Sequence, residues 1–174
     1  MEPSTREDAF AILRRIGAPP RLQRHAELVC EAADALVEGF AALKIPLRDD
    51  FVRVGAILHD AGKSVHPGEL DRPGALHEPD GERLLLQHGV SADVARVCRS
   101  HAQWRELDVD LDELVIALAD KLWKGARVAD LEELVIAMAA IASGQDRWQL
   151  FAALDSLFEG IAADADARLA RSVP

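Results

Sequence analysis

The chain has 174 residues, 49% of them hydrophobic and 29% charged, with 30 acidic against 20 basic side chains for a net charge of -10. That length and apolar content suit one domain with a substantial core, and the charge sets up a field that disfavours nucleic acid or an anionic membrane as a partner. No run approaches the apolar length of a membrane span, Met1-Glu2-Pro3-Ser4 opens no basic-then-apolar leader, and Cys30 and Cys98 show neither zinc nor disulfide spacing. The expectation is a cytoplasmic protein with two buried, free thiols.

Apolar residues recur at helical spacing almost throughout, and no segment alternates long enough to make a strand. Ser4 with Glu7 forms a capping-box pattern for a first helix carrying Phe10, Leu13 and Ile16, stopped by Gly17 and Pro19-Pro20. Pro20 suits the first turn of a long second helix to about residue 44, ended by Pro46. A third, from about 49 to 61, turns Phe51, Val54, Ile57 and Leu58 inward and stops at Gly62, which releases the backbone from the helix. Pro67, Gly68, Pro73 and Gly74 make residues 63 to 76 a loop and a candidate lid.

Helices resume over about 78 to 88, from the Ser91 cap to His101, and from the Asp110 cap with Glu113 to about residue 124. Asp130 with Glu133 caps the next, whose Leu131, Leu134, Val135, Met138 and Ile141 form an apolar stripe before Ser143-Gly144. The last, about 146 to 171, presents Trp148, Phe151, Leu154, Leu157, Phe158 and Ile161 at spacings of three and four. Both stripes read as core, or as a surface through which the C-terminal helices form a homodimer. The expected fold is all-α, a single-domain bundle of seven or eight helices.

Four of the six histidines stand where helices begin or end, or beside a carboxylate: His25, His59 next to Asp60, His77 and His101. Asp120 interrupts the apolar run of residues 115 to 119, where an unpaired carboxylate is costly to bury. It needs a cation, and an ion held jointly by imidazoles meets that need. A lone histidine is more often an ordinary hydrogen-bonded residue than a ligand, so only the ordered set points to a metal. Mixed imidazole and carboxylate donors suit iron, manganese or cobalt, with zinc, nickel and magnesium also compatible.

The order His25, then His59-Asp60 within Leu58-His59-Asp60-Ala61-Gly62-Lys63, then Asp120 within Ala119-Asp120-Lys121, resembles the H...HD...D signature of the HD-domain superfamily. The resemblance covers about residues 21 to 127 and extends through His77-Glu78-Pro79-Asp80-Gly81, similar to an HExxG segment, and Ser100-His101. It implies an N-terminal helix at 1–20, an HD metal-binding core at 21–127 and a C-terminal helical pair at 128–174 packed on that core.

On this resemblance His25, His59, Asp60 and Asp120 bind one divalent metal ion, and His77 and His101, with Asp60 bridging, make room for a second. The larger ligand set resembles the dinuclear branch, which includes bacterial symmetrical dinucleoside-tetraphosphate hydrolases. The implied activity is hydrolysis of a phosphate ester or anhydride of a small phosphorylated molecule, a nucleotide or dinucleotide, by metal-activated water.

Asp60 and Lys63 are the candidate catalytic residues, with Lys63 one turn past the metal pair where it can reach a phosphate; a solvated lysine favouring the helix dipole is the plain alternative. Lys63, Arg24, Arg72, Trp104, Lys121 and Lys124 are the candidate substrate contacts, and Arg21 and Arg127 lie close to proposed ligands in sequence. Trp104 and Trp123 are candidates for stacking on a base, with core packing as the alternative for Trp123. His66 and His88 stand outside the signature. The same ligand pattern also resembles mixed-valent di-iron oxygenases acting on a polyol or organophosphonate, which is the competing reading. A degenerate, metal-stabilised binding module is disfavoured because every candidate ligand is present.

Overall fold

Residues 3–172 are described by a computed structural model of nine α-helices, with no strand among them. Met1 and Glu2 of the expected leader-free N-terminus, and the last two residues of the expected 128–174 segment, lie outside the described residues. The helices are α1 Arg6–Arg15, α2 Pro20–Ala42, α3 Asp49–Leu58, α4 His77–Gln87, α5 Ala92–Ser100, α6 Leu111–Leu122, α7 Ala129–Ser143, α8 Arg147–Ala163 and α9 Ala165–Ser172. None among the described residues is long and apolar enough to cross a membrane.

Local chemistry sets the helix starts. The α1 box is closed by Thr5 and Asp8 rather than Ser4 and Glu7: Thr5 Oγ1 accepts from the Asp8 N–H at 3.2 Å, and Asp8 Oδ2 accepts from the Thr5 N–H at 3.1 Å. Asp110 and Glu113 form the expected box on α6. No side chain caps α7 at Val128; Glu132 reaches back from inside the helix to accept from the Val128 N–H at 3.0 Å, in place of the expected Asp130–Glu133 pair.

The axis of the molecule is α6, buried at every position from Leu111 to Asp120, as a helix surrounded by α2, α3, α5, α7 and α8 must be. Such burial requires its acids to be paired. Asp112 accepts from Arg48 Nε at 2.7 Å and Glu113 from Arg96 Nη1 at 2.9 Å. Asp120, the third, faces histidines instead.

Two apolar clusters flank α3. Val52 and Ala56 join the larger one with α2, α6, α7 and α8, while Val54, Ile57 and Leu58 join a smaller one with α1, α4 and α5. The α3 C-terminus therefore emerges at the seam between them. Gly55 packs α3 closely on α6, and a Cβ there would meet the end of the Ile116 side chain, Cδ1, at 2.3 Å. That contact brings His59-Asp60 toward Asp120.

The expected last helix is divided at Asp164, and α9 folds back onto α2. Arg168 is buried and donates to the Ile161 carbonyl at 2.7 Å, satisfying an acceptor at the end of α8. Arg171 makes two 2.7 Å bonds to Glu31 on α2. The apolar period runs through the break without glycine or proline, so only these long-range contacts reveal it. Leu131, Val135, Leu154, Phe158 and Ile161 of the expected stripes are core, whereas Ile141 and Trp148 are exposed.

Residues 63 to 76 are more ordered than a plain loop. Two short 3-10 helices, Ala61–Ser64 and Pro67–Leu70, are closed by local bonds such as Val65 N–H to the Gly62 carbonyl at 3.0 Å. Residues 71 to 76 are exposed and lead into α4.

Candidate metal centre

Five elements deliver the predicted ligands to one point: His25 from α2, His59 and Asp60 from the end of α3, His77 from the first position of α4, His101 from the end of α5 and Asp120 from the last turn of α6. His59, Asp60, His77, His101 and Asp120 are all buried, and His25 is partly buried. Main-chain geometry aims two of the rings. His59 Nδ1–H donates to the Ala56 carbonyl at 2.8 Å, and His101 Nδ1–H to the Val97 carbonyl at 3.0 Å. A carbonyl can only accept, so Nδ1 carries a proton in both rings and each Nε2 is the atom that faces the centre.

Asp60 divides its two oxygens between two sets of rings. Oδ2 lies 3.1 Å from His25 Nε2 and 3.5 Å from His59 Nε2. Oδ1 lies 3.1 Å from His77 Nε2 and 3.8 Å from His101 Nε2. On the Oδ2 side, Asp120 Oδ1 is 3.6 Å from His59 Nε2 and 4.0 Å from His25 Nε2. One ligand atom each from His25, His59 and Asp120 falls within 4.8 Å of the others, and the same holds for His59, Asp60 and His101. Donors this close and of this kind fit a divalent cation.

The charges explain how such a cluster tolerates burial. Burial opposes a charge on His59, but Asp60 and Asp120 overcome it and raise its pKa to about 9. Burial also works against ionised Asp60 and Asp120, yet the histidines around Asp60, and His59 with Lys121 and Lys124 around Asp120, hold both carboxyls well below the usual range. Burial and the neighbouring His59 push His101 down to about 3, so that ring is neutral.

Lys63 Nζ sits 2.6 Å from Asp60 Oδ2, and Lys121 Nζ 2.7 Å from Asp120 Oδ2. Both line a cavity of about 810 Å³ above the histidines, together with Arg21, Lys124 and Trp123. Trp123 packs its edge against His25 with ring centroids 5.0 Å apart.

Three candidate substrate contacts are not brought to this cavity. Arg24 lies one position before His25 on α2 and pairs with Glu27 at 2.5 Å on the exposed face, because neighbours on a helix point about 100° apart. Arg72 is exposed on the loop, while Pro73 and Gly74 face the cavity. Trp104 is in the main core with Arg105 stacked on its ring at 3.9 Å, since its large apolar surface is worth more buried than at a solvent-facing rim. Arg127 pairs with Glu132 and Asp155. His66 bonds Asp80 at 2.6 Å, and His88 ends α4.

Gly62 does not release the chain through a left-handed conformation; it lies inside a 3-10 turn and is absent from the positive-φ residues. Its need is space: a Cβ there would meet the His77 carbonyl oxygen at 1.9 Å and the Gly81 nitrogen at 2.7 Å. The glycines of the two motifs thus pack against each other and set the distance from Asp60 to His77. Gly62→Ala is expected to cost roughly 3 kcal/mol, the upper end of overpacking penalties, because rigid backbone must move. An unchanged urea midpoint would sink that account.

Sequence reasoning missed two acids. Glu78 is buried in the cavity wall and accepts from Gln103 Nε2 at 2.6 Å; its place directly after His77 was the available signal. Glu69 bonds His77 from the loop, and nothing in the local sequence marks it.

A family model described as HD domain matches residues 21–170. No curated protein and no solved structure matches the chain.

Proposed function

Because the chain belongs to the HD-domain family, we propose that it is a metal-dependent phosphohydrolase cleaving a phosphate ester or anhydride of a small molecule, a nucleotide or dinucleotide. The observation that carries this reading is the division of Asp60, with one oxygen toward His25 and His59 and the other toward His77 and His101, beneath a cavity rimmed by Arg21, Lys63, Lys121 and Lys124.

On this reading the donor set would hold two divalent cations of the iron, manganese or cobalt type, one at His25, His59, Asp120 and Asp60, the other at His77, His101 and Asp60. Bound there, such ions supply activation of a water nucleophile and neutralisation of phosphate charge. The protein's part is orientation and field. His59 and His101 are held by carbonyls of their own helices, so the donor atoms need no rearrangement. Lys63, beside Asp60, presents a cation at the cavity floor to a phosphate oxygen. Lys121 and Lys124 extend that positive field past Asp120, which supports an anionic ligand despite the net charge of -10. A cavity of about 810 Å³ is within the range of small-molecule sites.

Protein loaded with manganese under anaerobic conditions is expected to release phosphate or nucleotide from members of a panel of nucleoside phosphates and dinucleoside polyphosphates. A loaded protein inert toward the whole panel overturns the proposal. Dioxygen uptake with a polyol or organophosphonate would replace it with the oxygenase reading.

A further inference from the structure

The three rings held at Nδ1 differ in what holds them. His59 and His101 follow a complete helix, and each finds its acceptor one turn back in that helix, at Ala56 and Val97. His77 is the first residue of α4 and has no preceding turn. Its acceptor comes from the 3-10 helix Pro67–Leu70: Glu69 Oε2 lies 2.5 Å from His77 Nδ1 and also accepts from the His77 N–H at 3.1 Å. Glu69 Oε1 accepts from the Leu76 N–H at 3.2 Å.

This carboxylate is enclosed by the loop it belongs to. Its side chain is 13% exposed, and a Cβ at Gly74 would meet its Cδ at 2.3 Å, so a larger residue there would push the carboxylate from its present place. The same stretch, at Leu70, Pro73 and Gly74, forms part of the cavity wall. Two further ties leave His77 Nδ1 untouched: His66 to Asp80 at 2.6 Å fastens the loop to α4, and Arg21 on α2 donates to Asp71 and, at 3.3 Å, to the Leu70 carbonyl.

We propose that Glu69 is a positioning residue that makes the second metal position, at Asp60 Oδ1, His77 and His101, depend on the placement of the 66–76 loop, while His25, His59 and Asp120 at the other position take no direct bond from it. The inference rests on the two-ion reading above. Accepting the Nδ1 proton presents Nε2 to Asp60 Oδ1 and increases its donor strength, as carboxylates behind ligand histidines do. Displacing the loop removes that support from one ion only.

The test is manganese titration of the full chain by calorimetry, with electron paramagnetic resonance at two equivalents. Wild type is expected to bind two ions and give the signal of a coupled pair. Glu69→Ala is expected to bind the first ion unchanged and the second about 10- to 100-fold more weakly, with the coupled signal replaced by that of an isolated ion. Glu69→Gln, which keeps one acceptor oxygen, should lie between. Asp80→Asn, which loosens a tie that does not touch His77 Nδ1, should leave the second affinity closer to wild type than Glu69→Ala does.

Equal affinities for both ions in Glu69→Ala and wild type would overturn the role of Glu69 while leaving the two-ion reading intact, as would a parallel weakening of both ions with a lowered melting temperature. A wild-type chain that binds a single ion would overturn the two-ion reading itself, and with it this one.

Discussion

Asp60→Asn is expected to abolish metal binding at both proposed positions and to lower turnover of any phosphate substrate by about 10³-fold or more, equivalent to about 4 kcal/mol of transition-state stabilisation. The side chain is 4% exposed and each of its oxygens faces a different pair of histidines, so no other residue substitutes for it on either side. An amide keeps the shape but turns a donor N–H₂ toward one of those pairs and withdraws the negative charge from both. His101→Ala provides the contrast. It removes a ring on the Oδ1 side alone and is expected to spare the ion at His25, His59 and Asp120. Metal content by mass spectrometry and turnover with manganese check both variants. An Asp60→Asn protein that retains two ions and works within tenfold of wild type would refute the bridging role.

Metal affinity should rise steeply with pH, by about tenfold per unit up to about pH 9, where His59 loses its proton. The ring is fully buried, and its Nδ1 proton is committed to the Ala56 carbonyl. The proton that a metal ion must displace is therefore the one on Nε2, which Asp60 and Asp120 retain against the cost of burial. Stability of chelator-treated protein should follow the opposite course. The folded pKa of His59 is raised above the ordinary value of 6.5, so its contribution is fully present below pH 6.5 and is lost as pH rises through about 9. Raising the pH over that window should lower the melting temperature of chelated protein and increase the stabilisation conferred by manganese. His101, neutral across the window, adds nothing to either trend. Calorimetry at pH 6, 7 and 8 in buffers of different ionisation enthalpy would report the released proton, and an affinity independent of pH would exclude this account.

How much of this was legible depends on the kind of signal each residue leaves. The helices are written in local periodicity, and all those expected are present, because an apolar stripe at helical spacing must be buried wherever the helix packs. Cap positions and the break at Asp164 are less legible. Choices between Thr5 and Ser4, or between one helix and two, turn on single hydrogen bonds such as Arg168 to Ile161, made by residues that no pattern links. Arg24 and Trp104 illustrate the same limit at the site. Nearness in sequence to a ligand placed both among the candidates, and helix phase and core packing decided otherwise.

The amino-acid sequence by itself determined the helical class and the cationic and acidic residues available and, through its resemblance to the HD signature, pointed to the candidate set His25, His59, Asp60, His77, His101 and Asp120, because motif residues and their order survive any folding of the chain. Tertiary structure alone decided how those groups divide. The approach of α3 to α6 through Gly55, and of Gly62 to Gly81, places one Asp60 oxygen with each pair of rings, and the loop's return brings Glu69 to His77 from eight residues away. Those relations are distances between elements packed side by side, and a distance across a core has no counterpart in spacing along the chain.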